Sequence, residues 1–447
     1  MTGRRNLNGH PTTDANDVAT ALSGSQQPAS PTTGGGYGAY VLGMLILVYT
    51  FNFIDRQVVG ILAVPIKAEL GLSDTQLGVM GGTAFALFYT LLGIPIGRLA
   101  DRTVRTRIIA GALALWSVMT SICGAAHGFW QLFGARVGVG VGEAGGVAPS
   151  YSIICDYFPR EQRARALAAY GFGIPIGSGI AMLVGGYLAT YFGWRTTFLV
   201  VGAAGLVLVP IFAFTVREPL RGGLDGGAVT AKVPTTGAVL ALLSKKPSFW
   251  ALALGCSVAS MAGYALLFWM PAFLVRSFPV DLLHASRALG LLVFVGGIVG
   301  LGLGGIAADR LGRTSKAAYA RVPAIAFCLA VPFYVAGVLA PTLGVCIAVL
   351  FVPTALGLAW LGPVTSAVQQ LVAPNMRATA SAIFLFINNM IGLGAGTLLT
   401  GALSDALKSH FAGEALRYAI VANTLLYLLA AAILFWAARR LDRDWHA

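Results

Sequence analysis

Residues 97–105 have the sequence GRLADRTVR, and residues 305–313 have the sequence GIAADRLGR. Both copies place a glycine, an Asp-Arg pair and a closing arginine at the same spacing, 208 positions apart, and each follows a long apolar run. A weaker pair, PREQRARA at 159–166 and PNMRATA at 374–380, recurs at an offset near 214. Two features in one order at nearly one offset indicate a duplicated chain with two related halves.

The composition indicates that lipid covers most of the outside of this chain. Of 447 residues, 57% are hydrophobic and only 11% are charged, whereas a soluble domain is usually about 25% charged. A membrane-spanning helix needs about 20 apolar residues, and twelve such runs fit the length. We therefore predict an all-α membrane protein with twelve transmembrane helices in two pseudo-symmetric six-helix bundles.

The distribution of basic residues predicts the orientation. The net charge is +13, but Lys and Arg lie in short clusters at the ends of apolar runs, which does not favour nucleic acid as a partner. With the N-terminus inside, the inner segments carry 22 Lys and Arg and the outer loops carry 6, so both termini should be cytoplasmic in a cell inner membrane. The predicted boundaries are a disordered tail at 1–36, bundles at 37–216 and 248–438, a cytoplasmic linker at 217–247 and a tail at 439–447.

The repeated loop signature resembles that of the major facilitator superfamily, and the match spans both halves. The arginine of the fourth predicted helix, Arg136, and the sequence WRTTF at 194–198 are also similar to that superfamily. The first loop copy has Val104 where glycine is usual, and Val139 stands where the fourth helix usually has glutamine. Within the superfamily the chain resembles the Spinster branch through three segments of its N-terminal half: NFIDR at 52–56, GVGEA at 140–144 and IPIGSG at 174–179.

Four charged residues lie at membrane depth in the predicted helices: Asp55, Arg56, Arg136 and Glu143. Each costs about 2.5–3.5 kcal/mol to insert. One hypothesis is proton coupling through Asp55 or Glu143, because burial favours the neutral carboxyl and a neighbouring arginine favours the charged one. The other is a fixed ion pair, for instance Glu143 with Arg56 or Arg136, that holds the first and fourth helices together. Arg56 follows Asp55 directly and points about 100° away, which leaves open whether it faces another helix.

The predicted substrate-binding residues are Asn52, Arg56, Arg136, Tyr264, Phe268, Trp269 and Asn388. The arginines suit an anionic headgroup, and the aromatic residues of the seventh helix suit an acyl chain or an aromatic group. Packing is the alternative role for these aromatic residues, and a hydrogen bond between helices is the alternative for the asparagine of the eleventh helix.

The two loop signatures supply the predicted gating residues: Asp101, Arg102, Arg105, Asp309, Arg310 and Arg313. Anchoring at the inner membrane surface explains the arginines but not the paired aspartates. In the superfamily that these loops resemble, the loop is a conformational latch that closes the inner side. We expect the same role here, without contact to the substrate.

The resemblance implies a secondary active transporter that works by alternating access around a cavity at the midplane. It further implies coupling to protons and an amphipathic, lipid-like substrate of the lysophospholipid or sphingoid phosphate type. A proton-coupled carrier of small organic anions or drugs shares every motif named here and remains an alternative.

Two other classes of protein fit the sequence less well. A non-transporting membrane receptor would need neither the repeat nor a coupling carboxylate. A membrane enzyme should show a polar catalytic cluster at one interface, which we do not find in the sequence. We expect a monomer whose partners are membrane lipids, protons and the amphipathic substrate, with no nucleic acid, no metal and no cofactor, and with the proton gradient as its energy source.

Overall fold

The computed structural model describes residues 36–222, 224, 235–312, 315–373 and 376–445, and these form helices without a strand. The predicted tail at 1–36 lies outside this range except for Gly36, which begins the first helix. The helices of the N-terminal half are α1 Gly36–Ile61, α2 Ala63–Leu70, α3 Asp74–Gly78, α4 Ala84–Arg102, α5 Arg105–Cys123, α6 Phe129–Glu143, α7 Val147–Tyr157, α8 Arg160–Gly171 and α9 Gly173–Thr215. The helices of the C-terminal half are α10 Thr236–Ser244, α11 Pro247–Ser277, α12 Leu282–Gly312, α13 Ala318–Val338, α14 Leu343–Leu358, α15 Leu361–Gln370, α16 Arg377–Asn388, α17 Gly394–Phe411, α18 Ala415–Thr424, α19 Leu426–Ala438 and α20 Leu441–Asp444.

In the described part of the chain, nine helical stretches are long and apolar enough to cross a membrane. Two of the nine contain a break at which the chain can reverse: α9 bends at Gly193, and the 3₁₀ turn Ala412–Glu414 separates α17 from α18. The pair α6 and α7 adds a crossing that is interrupted at residues 144–146. The helical path therefore accommodates the twelve crossings that the sequence predicts.

Contacts with α1 show that α9 reverses. Its first part packs against α1, because Gly177 lies against the backbone of Thr50. The reversal is at Gly193, whose φ of 79° is a conformation that glycine adopts readily. The chain then returns to the beginning of α1, where the Tyr37 hydroxyl donates to the Thr215 carbonyl at 2.8 Å. We call the end of the bundle that holds Tyr37 and Thr215 the termini end, and the opposite end the distal end.

Two π-helical turns face each other between the halves. One, Val79–Thr83, lies between α3 and α4, and the other, Asn389–Leu393, lies between α16 and α17. The Thr83 hydroxyl donates to the Gly394 carbonyl at 2.6 Å, and the Thr397 hydroxyl donates to the Gly78 carbonyl at 2.8 Å. These bonds join the halves along the distal part of their helices.

Glycines permit a second close approach between the halves, where α9 meets α12. A Cβ added at Gly179 would lie 2.9 Å from the Phe294 side chain, and one added at Gly186 would lie 2.3 Å from the Ser286 side chain. Small residues at these positions allow the helix backbones to come together, as in other membrane helix pairs.

The chain segments at the termini end fold onto their own halves. In the N-terminal half, Arg221 donates to the Ala100 carbonyl at 2.6 Å. In the C-terminal half, the Asp444 carboxylate accepts from the Ser248 amide at 3.0 Å. The predicted linker at 217–247 contains the helix α10, which the hydropathy pattern did not predict.

Candidate functional site

Two ion pairs join α1 to α6 inside the N-terminal half. Arg136 Nη1 donates to Asp55 Oδ1 at 2.8 Å, and Arg56 Nε donates to Glu143 Oε2 at 2.8 Å. All four side chains are buried, and the most exposed, Arg56, is 8% accessible. Arg136 and Glu143 are seven residues apart on one face of α6, so this face offers a partner to each of the two charges of α1. Arg56 and Asp55 therefore both face α6. The sequence left open whether Arg56 faces a different helix.

We call these four residues the charge cluster. It holds two positive and two negative side chains, so its net charge is zero when all are ionised. Removing one partner of a buried pair usually costs about 3–5 kcal/mol, because it leaves a buried charge uncompensated. Any charge that enters the cluster therefore favours the entry of an opposite one.

The two carboxylates of the cluster are bound differently. Asp55 has a partner for each oxygen: Oδ1 accepts from Arg136, and Oδ2 accepts from the hydroxyl of Thr120, a buried residue of α5. Glu143 has a partner for Oε2 alone. The structure thus brings together the four charges that the sequence predicted and adds Thr120, which it did not.

Four buried polar atoms of this region have no hydrogen-bond partner in the described part of the chain: Asn52 Oδ1, Arg56 Nη2, Arg136 Nε and Glu143 Oε1. A buried polar atom without a partner costs about 1–3 kcal/mol. Atoms of this kind are those that a ligand or a water molecule would satisfy.

Aromatic rings surround the guanidinium of Arg56. Its Cζ lies 5.0 Å from the ring centroid of Phe53, 4.8 Å from that of Phe85 and 4.7 Å from that of Tyr89. A guanidinium at such a distance from an aromatic ring is attracted to its face, by about 2 kcal/mol when water is excluded. The rings hold the cation in place without neutralising its charge.

Glycines of α6 bring two neighbouring helices to the charge cluster. A Cβ at Gly140 would lie 2.6 Å from the carbonyl oxygen of Phe85, and a Cβ at Gly142 would lie 2.6 Å from the amide nitrogen of Trp116. Because α4 and α5 approach α6 at backbone distance, Phe85 can reach Arg56 and Thr120 can reach Asp55.

Tyr264 and Phe268 of α11 face the charge cluster from the other half. With Arg56 and Arg136 they help to line a cavity of about 10 Å³, which is room for about one water molecule. A Cβ at Gly81 would lie 2.1 Å from the Phe268 ring, so this ring fills the space that the glycine leaves. Phe268 therefore closes the distal side of the site.

Trp269 and Asn388 make contacts within the C-terminal half. Trp269 is fully buried, and its Nε1 donates to the Thr397 carbonyl at 3.0 Å. Asn388 Oδ1 accepts from the Ser260 hydroxyl at 2.9 Å. These are the contacts expected from the alternative roles, packing and a hydrogen bond between helices.

Among the predicted gating residues, Arg105 is buried and binds its own half. Its guanidinium donates to Glu218 at 2.6 Å and to Asp156 at 2.5 Å. Arg102 and Arg310 are exposed. The side chains of Asp101 and Asp309, and all of Arg313, lie outside the described part of the chain. The latch at the inner side thus stays a prediction.

Glu218 ties the beginning of the linker to the loop between α4 and α5. Partial burial alone would raise the pKa of its carboxyl, but hydrogen bonds from the Thr106 amide and the Arg105 guanidinium outweigh this effect. They hold the pKa of Glu218 below its usual range. The carboxylate is therefore ionised at neutral pH, and the attachment of the linker persists as the pH falls toward that lowered value.

A second group of charges joins the halves at the distal end, and we call it the distal cluster. Asp74 is fully buried and accepts from both terminal nitrogens of Arg276 at 2.9 Å, from the Ser404 hydroxyl at 2.8 Å and from Lys67. Asp405 accepts from backbone amides at the beginning of α3. These residues could not be predicted from the sequence, because charges at helix ends are ordinary in membrane proteins and no motif marks them.

Comparison with known proteins agrees with this architecture. The Major Facilitator Superfamily model matches residues 45–397. An MFS-type efflux pump of Mycolicibacterium smegmatis is 36% identical over 404 residues, which cover 90% of this chain and 93% of that protein. Protein spinster homolog 1 of Homo sapiens is 29% identical over 397 residues, which cover 84% of this chain and 75% of that protein.

A solved structure is similar over nearly the whole chain. It is the crystal structure of a bacterial homolog of the human lysosomal transporter Spinster, in an inward-facing and unoccupied conformation. It matches with a TM-score of 0.84 and 32% identity, covering 92% of this chain and 99% of that chain. The all-α membrane fold predicted from the sequence is thereby confirmed. The chain belongs to the Major Facilitator Superfamily, as a Spinster-like, multi-pass membrane transporter.

Proposed function

We propose that this protein is a proton-coupled secondary active transporter of an amphipathic, lipid-like anion, of the lysophospholipid or sphingoid phosphate type. The observation that carries the proposal is the one-sided distribution of buried charge. In the described residues, the buried charged side chains all belong to the N-terminal half: Asp55, Arg56, Asp74, Arg105, Arg136 and Glu143. The buried polar residues of the facing half are serine, threonine and asparagine.

This asymmetry suits a substrate with a charged head and an apolar tail. The unpartnered Nη2 of Arg56 and Nε of Arg136 can donate to an anionic headgroup. Across the gap, Tyr264 and Phe268 present aromatic surface, which suits the beginning of an acyl chain. A small hydrophilic anion would bind the two arginine nitrogens, but the aromatic surface of Tyr264 and Phe268 would then have no role.

The zero net charge of the charge cluster supports coupling to protons. An anion bound beside Arg56 would give the site a net negative charge, and a proton bound to Asp55 or Glu143 alone would give it a net positive charge. The two together restore neutrality. Each ligand therefore raises the affinity of the site for the other, and this coupling is reciprocal by thermodynamic necessity.

The contacts between the halves support alternating access. Asp74 binds Arg276, Thr83 binds Gly394, and both contacts lie in the distal part of the bundle. A site closed at the distal end is reached from the termini end. We propose that the protein lies in the inner membrane with both termini in the cytoplasm. A site that is reached from the termini end then faces inward. We further propose that the monomer works without a cofactor and draws its energy from the proton gradient.

The test is proton flux in proteoliposomes that contain the purified protein. A lysophospholipid should drive proton movement in the wild type, and Asp55→Asn should abolish it while leaving the protein folded. A panel of small organic anions serves as the comparison. Proton movement with the small anions and none with the lysolipid would overturn the lipid assignment and leave a proton-coupled carrier in place.

The second candidate is the export of small organic anions or drugs. The similarity to the mycobacterial efflux pump favours this candidate, because that protein is 36% identical to this chain over 404 residues. The same flux panel separates the two candidates. Export would give movement of the small anions out of the vesicles, with a proton moving in the opposite direction.

A further inference from the structure

Among the described residues, Thr120 is the one uncharged side chain that binds a carboxylate of the charge cluster. It lies on α5, is fully buried, and its hydroxyl donates to Asp55 Oδ2 across the gap between two helices. No motif or charge in the sequence marks it. Its position opposite Asp55 nevertheless gives it direct access to the carboxyl oxygen that does not bind Arg136.

The orientation of this hydroxyl differs from that of Thr90 and Thr354, two other helical threonines of the chain. Thr90 donates to the carbonyl of Ala86 at 2.6 Å, and Thr354 donates to the carbonyl of Leu350 at 2.7 Å. Both bonds reach four residues back in the same helix, as is usual for threonine inside a helix. The Thr120 hydroxyl is turned instead toward Asp55 on another helix.

A hydroxyl suits a carboxyl group that changes its protonation state. It can donate to the ionised oxygen, and it can accept from the same oxygen once that oxygen carries a proton. In the second case the hydroxyl proton can turn to the Trp116 carbonyl, four residues back, as in Thr90 and Thr354. Arginine has no acceptor, so neither Arg136 nor Arg56 can accept a hydrogen bond from a protonated carboxyl.

We propose that Thr120 is a positioning residue that places the transported proton on Oδ2 of Asp55. The proton binds Oδ2, Thr120 accepts the new O–H bond, and Arg136 loses the charge of its partner and becomes available to an anion. Glu143 remains the ionised partner of Arg56, because in the described part of the chain no hydroxyl is bonded to either of its oxygens: Oε2 faces a donor and Oε1 has no partner. This inference rests on the proposed function, within which it identifies the proton carrier and its partner.

The titratable and charged groups that face Asp55 come from three helices: Arg56 from α1, Cys123 from α5, and Arg136 and Glu143 from α6. The buried residues of α9, which packs on α5, include no titratable group. A change at Thr120 therefore alters the hydrogen bonding of Asp55 and leaves the charges around it in place.

The first test compares Thr120→Val with Thr120→Ser in the pH profile of proton-coupled transport. Valine has the shape of threonine without the hydroxyl, so the ionised Oδ2 would lose the hydrogen bond that Thr120 donates, and a protonated Oδ2 would lose its acceptor. Because a hydrogen bond to an ionised oxygen is the stronger of the two, we expect the midpoint of the profile to move toward alkaline pH by about one unit, a tenfold change in proton concentration. Serine should restore it. The matched control is Thr90→Val, whose hydroxyl bonds its own helix, and which should leave the midpoint unchanged.

The second test needs no substrate. Infrared difference spectra of the reconstituted protein, recorded as the pH is lowered, should show the carbonyl band of a protonated carboxyl. The band should vanish in Asp55→Asn, persist in Glu143→Gln, and move to higher frequency in Thr120→Val as a hydrogen bond is lost. A band that persists in Asp55→Asn, or that Thr120→Val leaves in place, would overturn the inference.

The two tests separate the inference from the proposed function. Wild-type protein without lysolipid-driven proton flux would refute the proposed function, while the infrared titration would still decide where the proton binds. A Thr120→Val variant with lower thermal stability and an unchanged pH midpoint would make Thr120 a packing residue and overturn the inference alone.

Discussion

The guanidinium of Arg56 has one nitrogen that binds a partner within the protein and one that has no partner in the described part of the chain. The first is Nε, which binds Glu143, and the second is Nη2. The planar group also lies among three aromatic rings, which fix its orientation. Only a residue with several donors in a rigid plane can do both, and this distinguishes arginine from lysine.

We therefore expect Arg56→Lys to weaken substrate binding more than folding. Lysine keeps the positive charge beside Glu143 but cannot hold the carboxylate and present a second donor in a fixed direction. The KM for an anionic substrate should rise about tenfold, a loss of roughly 1.4 kcal/mol, as measured by uptake into proteoliposomes. Arg195→Lys is the matched control, because Arg195 binds Glu69 at the distal surface, away from the cluster. Equal KM values for the two variants would contradict the role of Arg56.

The sequence predicted the charged residues of the site but not their pairing. A charge at membrane depth is conspicuous because it is costly, so Asp55, Arg56, Arg136 and Glu143 stand out in apolar runs. Which arginine binds which acid depends on the rotation of α1 against α6, and this is set by packing that the sequence does not display. Thr120 was missed because threonine is common in membrane helices and acquires its role only from the opposing Asp55.

At the scale of helices, α6 has an open face and a packed face. A Cβ at Gly134 would meet nothing within 4 Å, whereas a Cβ at Gly140 would lie 2.6 Å from the backbone of Phe85. The two glycines lie six residues apart on the same helix. Replacing each of them by alanine therefore distinguishes the intrinsic effect of alanine on helix stability from its effect on packing.

Gly140→Ala should destabilise the protein, and Gly134→Ala should not. Inserting a methyl group against a neighbouring backbone usually costs about 1–3 kcal/mol, while alanine in an open helical position gains up to about 1 kcal/mol over glycine. Thermal unfolding in detergent should show a lower midpoint for Gly140→Ala and an equal or higher one for Gly134→Ala. If both variants unfold like the wild type, the close approach of α4 to α6 is not required for stability.

Hydropathy predicted where the long helices lie and missed where they are interrupted. The fourth predicted span is divided at residues 144–146, and two others contain the π-helical turns Val79–Thr83 and Asn389–Leu393. An apolar average over about 19 residues cannot detect a local change of helical hydrogen bonding. The same average also passes over α10, which is too short to cross a membrane.

For the whole molecule, the distal cluster is the charged contact that must open if the halves are to alternate. Asp74 is fully buried and Arg276 is 21% exposed, so their bidentate bond is shielded from water on one side. Lys67 belongs to the same half as Asp74, whereas Arg276 and Ser404 come from the other half. Removing Arg276 thus weakens the contact between halves and leaves Asp74 with a cation of its own half.

Arg276→Ala should raise the population of molecules that are open at the distal end. Loss of a charged hydrogen-bonded partner costs the closed state about 1.5–3 kcal/mol, which corresponds to a population change of about tenfold or more. Spin labels at His127 and Gly413, both near the distal end on opposite halves, would report it as a longer distance.

Arg195→Ala is the control for this measurement, because Arg195 and Glu69 lie in the same half. It should leave the distance distribution as in the wild type. An unchanged distribution in Arg276→Ala would mean that the π-helical turns and the Phe268 contact hold the distal end closed without help from the ion pair.

The zero net charge of the charge cluster also bears on the energetics of the transport cycle. If one proton enters with one singly charged anion, the loaded and empty sites carry the same charge, and the cycle is electroneutral. Membrane voltage, which contributes roughly 2.3 kcal/mol per elementary charge at 100 mV, would then neither drive nor oppose transport, and accumulation would follow the pH gradient alone. A zwitterionic substrate carried with the same proton would make each turnover electrogenic. Transport by the same protein would then depend on voltage with a zwitterionic lipid and be independent of voltage with a singly charged anionic lipid.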